Sequence, residues 1–154
     1  MAKKERVIAP VVFNPPKHTW GKGPWNDEID YLEFVDPSTG ADCLIRRNQF
    51  GALCGYVRIP QGHPASLGSA HEAYGVHGGV TFAGTFDENS GPEGYWLGFD
   101  CAHSSDYSPG LNKFMAQAGF RTDMDNLSNY KTVDYVKAEC HRLALQLLLR
   151  SPEE

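Results

Sequence analysis

The chain has 154 residues and a formal net charge of −5, and 41% of its residues are hydrophobic, 12% aromatic and 21% charged. This length suits a single domain that buries about two thirds of its unfolded surface, and the composition excludes a disordered chain. An acidic chain without a basic stripe is a poor partner for duplex nucleic acid, and no apolar run reaches the roughly 20 residues of a membrane helix.

The first 26 residues are predicted to form an irregular N-terminal strand and loop. Residues 5–13 have strand character, and the following segment is rich in Pro, Gly and Trp, which predicts an irregular loop held to the body by its indole rings. The basic start is followed by only three apolar residues before Pro10, too few for a signal peptide. We therefore expect a cytoplasmic protein with no membrane anchor.

Residues 27–102 are predicted to form a sheet of four to five strands. Alternating apolar residues in 31–35, 42–48 and 52–59, with a turn signal in Asp36–Gly40, predict a hairpin or meander. Strand character returns around 80–82, and 94–102 is the clearest buried strand, with Trp96 and Asp100 on one face and Phe99 and Cys101 on the other.

The C-terminal third is predicted to be a loop-rich excursion over 103–131 followed by a helix over 132–150. Within the excursion Pro109 and Gly110 indicate a break, and 112–118 a short helix. Thr132 is a suitable N-cap, and an apolar stripe recurs at three- and four-residue steps through Val133, Val136, Cys140, Leu143 and Leu147. The predicted fold is α+β over the single domain 1–154, a mainly antiparallel sheet covered by one long C-terminal amphipathic helix.

The four cysteines, Cys43, Cys54, Cys101 and Cys140, lie in apolar contexts and form no CxxC pair. We expect buried, reduced thiols.

Three polar islands interrupt or end the apolar runs: Gly62–Pro64, Val76–Gly79 and Gly98–His103. Imidazoles, a carboxylate and glycines destabilise a buried strand unless something compensates for them. The simplest compensation is a polar site that the strands assemble together.

The first hypothesis for this site is a pocket for a small anionic, nucleotide-like ligand. His63, His77, Gly78 and Gly79 would contact the anion, with successive backbone N–H groups of the glycine loop forming an anion-binding nest. Asp100 and Asp106 would orient the imidazoles or bind a sugar or base, and Trp96 would offer a stacking face. The structural alternatives are a β-bulge that places His77 in the core and an Asp100 that caps the following loop.

The second hypothesis is a hydrolase in which His77, Asp100 and His103 hold a divalent metal ion or carry out acid–base chemistry. No HExxH, HxH or CxxC spacing accompanies them, so the pattern alone assigns no metal. The third is an inhibitor that binds a protein partner through its acidic surface. A homo-oligomer is compatible with all three.

A set of motifs lies in the runs FGALCGYV (50–57), GHP (62–64), VHGGVTF (76–82) and WLGFDCAH (96–103). The set also includes Pro60, Tyr130–Lys131, Asp134–Val136 and Glu139. It resembles a family of small uncharacterised proteins encoded by bacteriophages and prophages. The similarity runs from about residue 40 to 148. It implies a phage accessory protein that acts in the cytoplasm of the infected bacterium, where such proteins often counter host defences by blocking a defence protein or removing a nucleotide signal. The family pattern groups His63, His77, Asp100 and His103 as its polar signature.

Overall fold

A computed structural model describes residues 15–60, 62–63, 74–87, 90–120 and 126–149. The strands within these ranges are β1 (Tyr31–Val35), β2 (Asp42–Arg47), β3 (Leu53–Arg58), β4 (Phe82–Gly84) and β5 (Trp96–Asp100), and the helices are α1 (Pro109–Gln117) and α2 (Val133–Leu149). Short 3₁₀ turns lie at Lys17–Thr19, Pro24–Asp27 and Leu127–Asn129. The strand predicted in residues 5–13 lies outside the described residues.

The strands form one antiparallel sheet in the order β1-β2-β3-β5-β4. The first three form the predicted meander, so the predicted α+β class is confirmed. Helix α2 packs on one face of the sheet, directly over Gly55. A Cβ atom at Gly55 would lie 2.5 Å from the Phe99 ring and 2.9 Å from the Val136 side chain, which explains a glycine in the middle of a central strand.

Each face of the sheet carries a separate buried cluster. Under α2 the core includes Leu32, Val57, Leu97 and Phe99 from the sheet and Val136, Cys140, Leu143, Ala144 and Leu147 from the helix. On the opposite face Tyr31, Leu44, Tyr56 and Trp96 are buried against one another. The sheet is therefore covered on both sides, as its near-continuous apolar strands require.

Two oxygen acceptors fix the start of α2. The Thr132 hydroxyl accepts a hydrogen bond from the Tyr135 N–H at 3.2 Å, as the sequence predicted. A carboxylate oxygen of Glu28, from the N-terminal segment, accepts from the Val133 N–H at 2.8 Å. The predicted break at Pro109 is wrong, because α1 begins there: proline lacks an N–H group and suits the first helical position, where that group has no intrahelical partner.

A buried carboxylate, Asp36, joins the turn after β1 to the outer side of α2. It accepts hydrogen bonds from the Thr39 hydroxyl at 2.6 Å and N–H at 3.1 Å, and its oxygens lie 3.1–3.2 Å from Nδ1 of His141. Burial alone would raise the pKa of Asp36, but the bonds from Thr39 and His141 outweigh it and the pKa is lowered. Folding therefore stabilises the ionised form of Asp36 relative to its protonated form.

We expect Asp36→Ala to lower the free energy of unfolding by about 1.5–3 kcal/mol at pH 7, the usual range for hydrogen bonds to a charged group. Because the folded pKa lies below the ordinary carboxyl value of about 3.9, this stabilisation is complete above that value and is lost as the pH falls through the folded one. Urea unfolding of wild type and variant at pH 7 and pH 3 measures the difference, with the exposed Asp87→Ala as control. A gap in the free energy of unfolding between wild type and Asp36→Ala that is larger at pH 3 than at pH 7 would contradict the stabilising role of ionised Asp36.

Candidate functional site

Two of the polar islands meet beside the first two turns of α2. The loop Val76–Gly79 and the segment that follows β5 bring together five of the residues predicted from the sequence, namely His77, Gly78, Asp100, His103 and Asp106. The imidazole ring centroids of His77 and His103 are 5.7 Å apart at an angle of 60°. Each imidazole has a carboxylate of its own, so the cluster consists of two histidine–aspartate pairs in contact.

The first pair is His77 with Asp106, and it is held rigidly. The Asp106 side chain is fully buried, and its two oxygens lie 3.0 and 2.9 Å from Nε2 of His77. The same carboxylate accepts a hydrogen bond from the backbone N–H of His103 at 3.1 Å and lies 3.3 Å from Nζ of Lys131. A buried carboxylate with an ammonium group and two N–H donors around it is satisfied in the way that burial of a charge requires.

Tyr135 completes this pair from helix α2. Its hydroxyl lies 2.8 Å from Nδ1 of His77. Partial burial, with the nearby carboxylates of Glu139 and Asp106 among the further causes, raises the pKa of Tyr135, so the phenol keeps its hydrogen. Nε2 of His77 lies against the two Asp106 oxygens and is the donor to that carboxylate, while Nδ1 faces the Tyr135 hydroxyl. Both ring nitrogens of His77 are thus occupied by the protein itself.

The second pair, His103 with Asp100, is more open. The two side chains are 33% and 31% exposed, and Nε2 of His103 lies 3.6 Å from an oxygen of Asp100, which is too far for a hydrogen bond. Asp100 accepts instead from the Thr81 hydroxyl and from the Ala102 N–H, each at 3.0 Å. The Ala102 bond is the loop cap that was predicted as the structural alternative for Asp100.

Nε2 of His103 is a buried polar atom without a hydrogen-bond partner in the part of the chain that the structure describes. Unsatisfied buried polar groups are rare in folded proteins because each destabilises the fold by about 1–3 kcal/mol. Such an atom inside a carboxylate–imidazole cluster is the feature of this site that most needs a functional explanation.

Gly78 lets the His103 ring reach its position. Its φ is +69°, and a Cβ atom there would lie 2.0 Å from Nε2 of His103. Any other residue would both strain the backbone and displace the imidazole. The glycine in the Val76–Gly79 island therefore shapes the pocket wall for His103.

The predicted anion nest in this loop has few free donors. The N–H of His77 donates to a carboxylate oxygen of Glu139 and the N–H of Gly79 to the carbonyl of Val76, each at 2.8 Å. Gly79 itself adopts a positive φ of 86° beside open space. The loop is thus tied to α2 and to itself, which leaves little of it to bind an anion.

His63 does not join the cluster. It is buried, and its Nε2 lies 2.8 Å from the carbonyl oxygen of Leu147, near the C-terminal end of α2. Tyr135, the helix residue that contacts His77, is twelve residues earlier, about 18 Å along the helix axis. The structure therefore corrects the predicted grouping of His63 with His77, Asp100 and His103.

Trp96 also lies outside the cluster. It begins β5, whereas Asp100 ends it, and the indole is only 2% exposed, with Nε1 donating to the Glu93 carbonyl at 3.0 Å. Its neighbours are the aromatic rings on the sheet face opposite α2. A ring enclosed in this way offers no face for stacking on a ligand, which corrects the predicted role.

Three residues of the site, Tyr135, Lys131 and Glu139, were not predicted from the sequence. Tyr135 and Glu139 are four residues apart and therefore share one face of α2, next to the apolar stripe. A polar pair at that spacing beside a buried stripe is the signal from which their contact with the sheet loops could have been predicted.

Neither a reactive cysteine nor a metal-binding group of side chains is found at this site in the described part of the chain. All four cysteines are free, and burial raises the pKa of Cys54 to about 11 and the pKa of Cys101 still further, which excludes ready thiolates near Asp100. Within the described ranges, no three His, Cys, Asp or Glu side chains are grouped so that they could hold one metal ion. The metal candidates His77, Asp100 and His103 stand as members of two pairs.

No protein-family model, curated protein or solved structure matches this chain. Among the described residues, no helix combines the length and apolar character needed to cross a membrane. The likeness to phage-encoded proteins stays a prediction.

Proposed function

We propose that this protein is a hydrolase that uses acid–base chemistry, with His103 as the residue that transfers the proton and Asp100 as the carboxylate behind it. The observation that carries the proposal is the uncommitted Nε2 atom of His103, which faces Asp100 at 3.6 Å. Carboxylate–imidazole contacts in catalytic sites are often long without substrate and tighten when substrate binds.

The division of labour follows from the contacts of the two imidazoles. His77 is bonded at both nitrogens, to Asp106 and to Tyr135, so it has no lone pair or proton left for a substrate. His103 is the more exposed of the two imidazoles, with 33% of its side chain exposed against 14% for His77. With Nε2 turned toward Asp100, Nδ1 is the nitrogen that takes a proton from water or gives one to a leaving group.

The charges around the cluster favour a neutral or weakly charged ester over a polyanion. Three carboxylates (Asp100, Asp106 and Glu139) are accompanied by two cations (Lys131 and Arg142). A phosphate-rich ligand would meet net negative charge unless the imidazoles are protonated. The small anionic, nucleotide-like ligand predicted from the sequence is therefore the second substrate class to test.

Hydrolysis of two chromogenic probes tests the proposal, p-nitrophenyl acetate as a neutral ester and bis(p-nitrophenyl) phosphate as an anionic diester. We expect the wild type to hydrolyse at least one of them faster than an equal concentration of imidazole. Because general acid–base catalysis contributes about 10²–10⁴-fold, His103→Ala should lower that rate at least about a hundredfold. Release of p-nitrophenol is followed by its absorbance.

His141→Ala is the matched control, because His141 also pairs with a buried aspartate but lies outside the cluster. It should keep the wild-type rate. A wild type no faster than imidazole on both probes, or a His103→Ala variant as fast as the wild type, would contradict the proposal.

The biological setting rests on the sequence and on the resemblance. A phage accessory role against host defences, a host protein as partner, assembly with a second copy and a cytoplasmic location stay predictions. They are compatible with a small acid–base enzyme that removes a signalling molecule.

A further inference from the structure

A cavity lies toward the C-terminal end of α2, away from the histidine–aspartate cluster. Its volume is about 960 Å³, at the upper end of the range for small-molecule sites. The turn between β1 and β2, the end of β3, the residues before β5 and the last turns of α2 surround it. His63, which the sequence had grouped with His77, lines this cavity instead.

The walls of the cavity are mainly apolar. Val57, Ile59, Ala144 and Leu147 line the cavity from the buried core, each 4% exposed or less, and the exposed Leu148 forms part of its rim. His63 closes the helix end of the cavity by bonding the carbonyl of Leu147. An apolar ligand body would therefore be removed from water here without leaving that carbonyl unsatisfied.

One cation stands at this apolar wall. The Arg58 side chain is 41% exposed, and Nη1 lies 3.5 Å from a carboxylate oxygen of Asp42, which also lines the cavity. In the part of the chain that the structure describes, the guanidinium of Arg58 makes no hydrogen bond. A guanidinium has five N–H donors, so Asp42 leaves most of them for a second acceptor.

Gly94 keeps the guanidinium at this position. A Cβ atom at residue 94 would lie 2.4 Å from Nε of Arg58, so a larger residue would push the side chain away. The cavity thus combines a large apolar wall with a forked cationic donor next to a glycine.

We propose that this cavity binds a small amphipathic acid, with its apolar chain against Ile59, Leu147 and Leu148 and its carboxylate on Arg58. This inference goes beyond the proposed hydrolase activity and uses none of its residues. The ligand class follows from the chemistry of the walls, because a guanidinium recognises a carboxylate through two parallel hydrogen bonds.

Decanoate is the probe, and 1-decanol, with the same chain and no charge, is its matched neutral counterpart. We expect saturable one-to-one binding of decanoate to the full chain by isothermal titration calorimetry, and at least tenfold weaker binding of decanol. Arg58→Gln should weaken decanoate binding about tenfold or more and leave decanol binding unchanged, in keeping with the loss of a charged hydrogen bond.

Leu148→Gln, on the cavity rim, should weaken both ligands, whereas Leu149→Gln, the exposed next residue that does not line the cavity, should weaken neither. The Arg58 side chain is 41% exposed and Leu148 is 56% exposed, so both variants should fold, and circular dichroism checks this. The proposal is overturned if decanoate shows no saturable binding to the wild type, or if Arg58→Gln binds decanoate as tightly as the wild type does.

Discussion

Replacing Arg47 by alanine is expected to lower the free energy of unfolding by about 3–5 kcal/mol, the range for removing one partner from a buried ion pair. The Arg47 side chain has no exposed surface. Its guanidinium donates to a carboxylate oxygen of Asp30 at 2.8 Å, to the Tyr130 hydroxyl at 2.7 Å and to the Gly51 carbonyl at 3.0 Å, and it reaches Glu28 at 3.3 Å.

The loss should be large because it spreads to α2. Glu28 accepts from both Tyr130 and the first N–H of α2, so the Arg47 network fixes residues 28–30, the end of β2 and the start of α2 relative to one another. Without the guanidinium, the Glu28 carboxylate, only 14% exposed, loses its arginine partner, whereas Asp30, 30% exposed, keeps Lys17 at 2.7 Å. Urea unfolding followed by tryptophan fluorescence measures the change.

Arg46→Ala is the matched control, because the neighbouring arginine points to the other face of the sheet. Its guanidinium lies 5.2 and 4.8 Å from the ring centroids of Tyr56 and Phe86 and donates to the Ser90 carbonyl, contacts worth about 1 kcal/mol at a half-exposed position. If Arg47→Ala unfolds before measurement, Arg47→Lys keeps the charge without the fork and should show an intermediate loss. Equal losses for Arg46→Ala and Arg47→Ala would contradict this account.

The two arginines also show what the sequence can and cannot reveal. Adjacent residues of a strand face opposite sides, which predicts that Arg46 and Arg47 differ, but not which of them is buried. The choice depends on Glu28, Asp30 and Tyr130, and Tyr130 lies 83 residues away in the chain. Local alternation and the Asp36–Gly40 turn signal suffice for the β1–β2–β3 meander, whereas such long-range partners leave no local pattern.

Antiparallel pairing explains why His63 was misplaced. In the observed register Arg58, at the end of β3, lies opposite Trp96, at the start of β5, and Cys54 lies opposite Asp100. A residue that follows β3 is therefore at the opposite end of the sheet from residues that follow β5. His77, by contrast, precedes β4, and the segment it occupies runs beside the end of β5. The sequence predicted an antiparallel sheet but not that β3 and β5 are neighbours in it. Without that strand order, the separation of His63 from the residues after β5 could not be predicted.

Replacing Asp106 by asparagine should separate the two histidine–aspartate pairs. Asparagine keeps the shape of the side chain but removes the charge that balances Lys131, and it turns one acceptor into a donor. Lys131 still donates to the Asn129 carbonyl, so the free energy of unfolding should fall by about 3 kcal/mol, the lower end of the range for a broken buried ion pair. Urea unfolding measures the loss.

The same substitution should change the tautomer of His77. If the new amide donates to Nε2, the ring proton moves to Nδ1 and faces the Tyr135 hydroxyl, which must then turn its own hydrogen elsewhere. Nitrogen-15 chemical shifts of the imidazole report which ring nitrogen carries the proton. This readout is independent of any catalytic activity.

Asp100→Asn is the companion variant, and it should lose activity while keeping most of the stability of the wild type. Asp100 is about one third exposed, and an asparagine can accept the Ala102 N–H with its amide oxygen and donate from its NH2 group to the Thr81 hydroxyl, so we expect a change in stability of at most about 1 kcal/mol. Hydrolysis of the probe ester should fall strongly, because an amide cannot hold a protonated His103 in place. An Asp100→Asn variant that loses as much stability as Asp106→Asn, or that keeps full activity, would show that both pairs only support the fold.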